Sequence, residues 1–226
     1  MLTCVDVGIG KSNKRILMAA LLAGVALAAN AQTSTSAPTA DTSLGPNTLK
    51  IGVIGPFTGP SADFGVPMLN GIQLAVDEIN AVGGYLGRKL EIVRKDDQAN
   101  PDVGLAMSKE LISAKVAATI GFCNTGVAAK SLELYQTNKL PLIIPCATGS
   151  PLTAKYPGSA SYIFRTSAKD GIQAPFVVDD ILKRGWNKVA IFADTSGYGE
   201  AGLKDVEQAL AAKNIKLAYV ARFALA

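Results

Sequence analysis

Leu49–Gly65 reads LKIGVIGPFTGPSADFG, and Pro67–Asn80 follows as PMLNGIQLAVDEIN before Ala81–Gly84, AVGG. An apolar run stops at Gly55-Pro56 and opens into a loop of small and hydroxyl residues. Leu69, Ile72, Val76 and Ile79 then recur at helical spacing, which predicts one buried helix face. Gly83-Gly84 ends that helix. Strand, ligand-sized loop and helix make the opening unit of a parallel α/β sheet. Loops at the carboxyl ends of such strands are where small molecules bind.

Upstream, Lys11, Lys14 and Arg15 precede an uncharged apolar run, Ile16–Ala28, and Ala29-Asn30-Ala31 fits a small-x-small cleavage site. Residues 1–31 therefore read as an export signal cut before Gln32. The apolar run is shorter than the ~20 residues that span a bilayer. Val5–Ser12 ends like a phosphate-binding loop, but Val5 stands where that motif needs Gly, and no strand precedes it. Residues 32–47 are rich in Ser, Thr, Ala and Pro, and read as a flexible leader.

The chain carries a net charge of +4. Lys11, Lys14 and Arg15 against Asp6 account for +2 of it, leaving about +2 for the remainder. The basic residues are scattered, which is no nucleic-acid footprint. The mean hydropathy of +0.26 is inflated by the signal. Histidine is absent, which removes Ser-His-Asp and Cys-His catalysis and the commonest metal ligand together. Beyond the signal only Cys123 and Cys146 remain, too few for a zinc site. Both fall at strand ends on one sheet edge. A disulfide between them in an oxidising compartment and a pair of buried free thiols both fit. No cofactor, metal or catalytic set is expected.

Leu90–Lys95 reads as a second strand ending in Asp96-Asp97. These are adjacent carboxylates on opposite faces, so structural roles are expected for both. Asn100-Pro101-Asp102 is a helix start of cap, proline and acid, continued by Val103, Met107 and Leu111. Val116–Ile120 and Leu142–Ile144 read as strands around a helix over Val127–Asn138. Tyr162–Thr166 reads as an extended crossover, and Asp170–Arg184 as a helix with Ile172, Phe176 and Ile181 inward. Strands over Val189–Ala193 and Ile215–Val220 flank a helix over Glu200–Lys213. The alternation predicts doubly wound parallel sheets with right-handed crossovers. The break near Ser167–Asp170 divides them into a first lobe, residues 48–169, and a partial second lobe, residues 170–226. A two-stranded second lobe leaves an apolar edge, so a truncated chain is expected.

These residues resemble type I periplasmic binding proteins, in particular the leucine/isoleucine/valine-binding family of ABC transporters. The resemblance runs from Lys50 to the chain end. It rests on IGVIGPFTGPSADFG, GIQLAVDEINAVGG, KDDQANP (Lys95–Pro101), PCATGSPLT (Pro145–Thr153), FRT (Phe164–Thr166) and DTSGYGE (Asp194–Glu200), in that order. It implies a small ligand held between two closing lobes, its carboxylate met by hydroxyls and backbone N–H groups of Cys123–Gly126 and Ala147-Thr148. The resemblance makes Thr148 the leading contact, with Thr125 and Asn124 beside it. It sets Cys146 where a backbone carbonyl meets the ligand ammonium, and Tyr198 where a second-lobe aromatic closes over the ligand. Phe64 stands where branched-chain binders have Tyr, so one hydroxyl is lost. Asn124-Thr125-Gly126 replaces their serine-rich loop, and their acidic partner for the ammonium falls beyond Ala226. An amino acid, an amide or an aromatic carboxylate fits that outline. Arg165 and Asp170 are expected to organise the crossover. The resemblance also implies a monomeric periplasmic receptor serving an inner-membrane ABC permease, with no nucleic-acid partner. A sensor domain of the same fold and a non-functional fragment are the alternatives. An α/β hydrolase lacks both its G-x-S-x-G elbow and a histidine.

Overall fold

The described part of this computed structural model is residues 47–224. The proposed signal, nearly all of the leader and the phosphate-loop lookalike lie outside it. Five parallel strands, β1 (Thr48–Gly55), β2 (Lys89–Asp96), β3 (Ala118–Gly121), β4 (Leu142–Ile144) and β5 (Ile163–Arg165), form one sheet in the order β2-β1-β3-β4-β5. The chain reverses direction across the sheet between β1 and β3, and this is the point where open α/β sheets leave a crevice. A second parallel sheet pairs β6 (Ala190–Asp194) with β7 (Tyr219–Phe223).

One face of the larger sheet carries the core. Ile54, Leu142, Ile144 and Ile163 pack there with Leu111 of α2 (Pro101–Ser113), Leu132 and Tyr135 of α3 (Thr125–Thr137), and Leu152 of the short α4 (Pro151–Ala154). Asn100 caps α2 by accepting from the N–H groups of Asp102 and Val103. That satisfies two of the donors a helix start leaves open. The other face is covered differently. There α1 (Ala62–Ala81) packs on β1 and β2, and Phe164 is 50% exposed at β5. Of the four residues predicted to form a buried stripe on α1, only Val76 is buried, because the helix rests on the edge of the sheet. The helix also begins before Pro67, which sits inside its first turns.

The segment expected as a crossover is strand β5, paired in parallel with β4. A three-residue strand is too short to show an alternation. In α5 (Asp170–Lys183) the inward residues are Ala174 and Val178, not Ile172 and Phe176, which are 70% and 77% exposed. The helix is apolar on two sides. Its smaller side packs with Ala209 and Leu210 of α6 (Gly197–Ala211), while a two-stranded sheet offers nothing to bury the larger one. The last strand lies later than its propensity suggests, because the left-handed turn at Asn214 (φ 59) and the residues after it lead into Tyr219. No helix among the described residues is long and apolar enough to cross a membrane.

The sheet closes most tightly at its switch point. A Cβ on Gly121 would stand 2.2 Å from the Ile54 carbonyl oxygen and 2.4 Å from Ile54 Cγ2. Gly121→Ala is expected to lower unfolding stability by about 3 kcal/mol, the upper range for core overpacking. Urea denaturation reads this directly, and a loss under about 0.5 kcal/mol contradicts the packing described.

Candidate functional site

The loops at the carboxyl ends of β1, β3 and β4 are tied into one rim. Asp96, at the end of β2, accepts from Phe57 N (2.9 Å), Gln98 N (3.0 Å) and the Thr58 hydroxyl (2.6 Å), which pins the β1 loop. Burial raises the Asp96 carboxyl, but the Thr58 hydroxyl and three backbone N–H groups outweigh it and hold the group below its usual range. The structural role expected for Asp96 is therefore a specific one.

Phe122 follows β3 with φ 70, a backbone state rare for a bulky residue. Its ring is fully buried and meets Tyr135 edge-on at 6.2 Å. Its N–H donates to Ile54 O (2.9 Å), and its carbonyl accepts from Ala147 N (3.1 Å). Those anchors stabilise the bend, which turns the chain from strand into the start of α3. Asn124 is the N-cap of α3, yet its side chain makes no cap hydrogen bond. Its amide instead donates to Ser61 Oγ (3.2 Å) across the switch point, and its Oδ1 is buried with no partner among the described residues.

Thr125 is buried, and its hydroxyl accepts from Gly149 N at 3.3 Å. That bond joins the β3 loop to the β4 loop, so Asn124, Thr125 and Thr148 lie on one rim. Gly149 has no room for a side chain, since a Cβ would stand 2.3 Å from Thr125 Cγ2. Thr148 is half-buried. Its carbonyl accepts from Asp170 N (3.0 Å) and Arg165 Nη1 (2.8 Å). Arg165 also donates to the Gly149 carbonyl and to Thr153 Oγ1, the organising role expected of it. Ala147 is buried with both backbone groups engaged, its N–H by Phe122 and its carbonyl by Ser167 Oγ (2.8 Å).

The β6 loop reaches the same place. Ser196 caps α6 by accepting from Tyr198 N (3.2 Å), and Asp194 Oδ1 accepts from Ser196 N (2.7 Å). A Cβ on Gly197 would stand 2.8 Å from Gly126 Cα, so the amino-terminal turns of α3 and α6 touch backbone to backbone. Ser150 strengthens the join. It donates to Asp205 Oδ2 of α6 (2.6 Å) and accepts from Gly171 N (2.8 Å). Tyr198 is 53% exposed beside this contact, and Phe64 is 63% exposed on the first turn of α1. Burial raises the Tyr198 hydroxyl, with Asp170 and Asp194 adding to the shift. Cys123 and Cys146 are free, half-buried thiols. Sequence reasoning missed Ser61, Ser150 and Asp205. Their roles depend on contacts across 55 or more positions, and no local signal announces them.

The Periplasmic binding protein family profile matches residues 48–226. The chain belongs to that family. A Leu/Ile/Val-binding protein homolog from Brucella melitensis is 35% identical over 162 residues, covering 71% of this chain and 43% of its own length. The branched-chain amino acid transporter substrate binding protein of Streptococcus pneumoniae, solved in complex with isoleucine, superposes with a TM-score of 0.69 at 28% identity. It covers 78% of this chain and 50% of its own. A solute binding protein of an ABC transporter from Rhodopseudomonas palustris, solved with 3,4-dihydroxy benzoic acid, gives 0.70 at 30% identity, covering 80% and 48%. The chain thus spans about half the length of the relatives it matches.

Asp97 lies below this rim, fully buried. Its Oδ1 accepts from Ala99 N (2.9 Å), and its Oδ2 has no partner among the described residues. Burial pushes its carboxyl up to about 6, with the Asp96 charge adding to the effect against the Ala99 bond. Between the unfolded value of 3.8 and about 6, the native state keeps a proton that the unfolded chain has lost. Stability from this group is therefore present below about 3.8 and gone above about 6. Asp97→Asn removes the titration. The variant's stability relative to the parent is expected to rise by about 2–3 kcal/mol between pH 4 and pH 7.5, read by urea unfolding at both values. A pH-independent difference contradicts the assignment.

Proposed function

We propose that this chain forms the carboxylate-gripping half of a substrate-binding protein for an ABC importer, holding its ligand without transforming it. The observation that carries the reading is the contact of Gly126 with Gly197, where the amino-terminal turns of α3 and α6 meet. Each helix start carries a partial positive charge of about half an electron and N–H groups not used within the helix. Two of them opening on one crevice favour an anion. Thr125, Thr148 and Asn124 supply side-chain polarity on the same rim, while Phe64 and Tyr198 supply exposed aromatic surface for an apolar tail.

In this reading residues 48–169 and 170–226 are two lobes that close on the ligand. Closure turns binding into a change of shape that a membrane permease reads. The relatives solved with isoleucine and with 3,4-dihydroxy benzoic acid bracket the ligand class as amino acids and aromatic carboxylates. Burial raises the Asp170 carboxyl beside the rim, against the Thr148 hydroxyl, with Asp205 adding and Arg165 opposing. The export signal read in residues 1–31 and the family together favour a periplasmic monomer.

A thermal-shift panel on the chain tests this, using isoleucine, 3,4-dihydroxybenzoate and their carboxamides, which lack the carboxylate. A saturable rise in melting temperature with a carboxylate, and none with its amide, is expected because a ligand stabilises by mass action. Thr148→Ala is expected to weaken that binding by about 1–3 kcal/mol. Turnover of a hit, or equal shifts from acid and amide, contradicts the reading.

A further inference from the structure

The β3–β4 ladder pairs Thr119 with Leu142 and Ile120 with Ile143. The same offset sets Cys123 opposite Cys146, and the Ala147 N–H bond to Phe122 O carries the pairing past the strands. Cys123 and Cys146 therefore follow the two strand ends side by side. Each thiol lies close enough to the other to perturb its titration. Cys123 Sγ also lies 3.8 Å from Met68 Sδ of α1. Met68 is held in place by what lies beneath it. A Cβ on Gly55 would stand 2.6 Å from Met68 Cε, so only glycine leaves space for the thioether there. Met68 and Cys146 both line a groove of about 480 Å³ whose other walls include Ile51, Ile72, Val76 and Ile120. Three sulfurs therefore gather at the mouth of an apolar groove.

We propose that Cys123, Cys146 and Met68 form a three-sulfur site for a soft monovalent cation, Cu(I), with Ag(I) as its redox-inert equivalent. The donor set selects the ion. Thiolate and thioether are soft ligands that suit Cu(I), and oxygen-seeking cations find no match in them. Among the described residues no group of three His, Cys, Asp or Glu gathers to hold a harder ion. The spacing fits as well. Metal–sulfur bonds of about 2.3 Å in a trigonal plane hold the sulfurs about 4.0 Å apart, against the 3.8 Å between Cys123 and Met68. Binding expels the two thiol protons and leaves two thiolates and a thioether around one positive charge. The buried Asp97 carboxylate acts electrostatically on Cys123, and its negative charge favours a cation there. The site uses the Cys146 sulfur and not its carbonyl, so it stands apart from the carboxylate grip.

The test uses the full chain with Cys4→Ser, so that only these two thiols respond, reduced and kept free of oxygen. Native mass spectrometry with Ag(I), and Cu(I) competition against a chromophoric chelator, are expected to show one tightly held ion. Met68→Leu is expected to weaken binding by roughly tenfold or more, while Cys123→Ser or Cys146→Ser abolishes it. A variant that fails to fold is bypassed by the unmutated pair, which Ag(I) should protect from alkylation by iodoacetamide. Equal affinity in Met68→Leu overturns the proposal, as does unprotected alkylation. Loss of both thiols to a disulfide in the folded, air-exposed chain overturns it too.

Discussion

Two helix amino termini that touch repel one another. Gly126 and Gly197 bring the starts of α3 and α6 into backbone contact, and two partial positive ends at that distance oppose each other by on the order of 1 kcal/mol. The contact is nevertheless built into the chain. A side chain at Gly197 would prevent it, since its Cβ would stand 2.8 Å from Gly126 Cα, and the Ser150–Asp205 bond holds α6 against the β4 loop. An arrangement that stores repulsion between like dipole ends is one that an anion relieves. Most other features of the rim lead to this contact: Asp96 pins the β1 loop, the strained Phe122 turns the chain into α3, and Thr125 bonds to Gly149.

The two helix starts are not equivalent. Ser196 accepts from Tyr198 N and so caps α6 internally. Asn124 gives α3 no side-chain cap and turns its amide toward Ser61 instead. The first-turn N–H groups of α3 are thus the donors left for an acceptor from outside the fold. In the proposed reading the larger lobe supplies the grip and the smaller one the closing surface, with Tyr198 exposed beside the join. Affinity then depends on how the sheets approach, because half of the positive field arrives with α6.

Much of this is legible in the residues. Asn100-Pro101-Asp102 announces α2 because capping is local chemistry, and Gly55-Pro56 marks a strand end for the same reason. The candidate loops are legible because a parallel sheet puts every strand-to-helix turn on one edge. What is not legible depends on partners distant in sequence. The inward face of α5 is not legible because Ile172 and Phe176 are more apolar than Ala174, and only packing against α6 decides which side is buried. β5 is three residues long and is defined by its ladder to β4 alone. The Gly126–Gly197 contact joins residues 71 positions apart, and neither glycine stands out among the others in its loop.

The most direct test follows backbone amides by ¹⁵N NMR while a carboxylate ligand, isoleucine or 3,4-dihydroxybenzoate, is titrated into the chain. The amides of Gly126 and Val127 and those of Gly197 and Tyr198 should shift together, saturating at one ligand concentration. Binding with shifts confined to the α1 groove around Met68, Ile72 and Val76, and none at the two helix starts, would contradict the account.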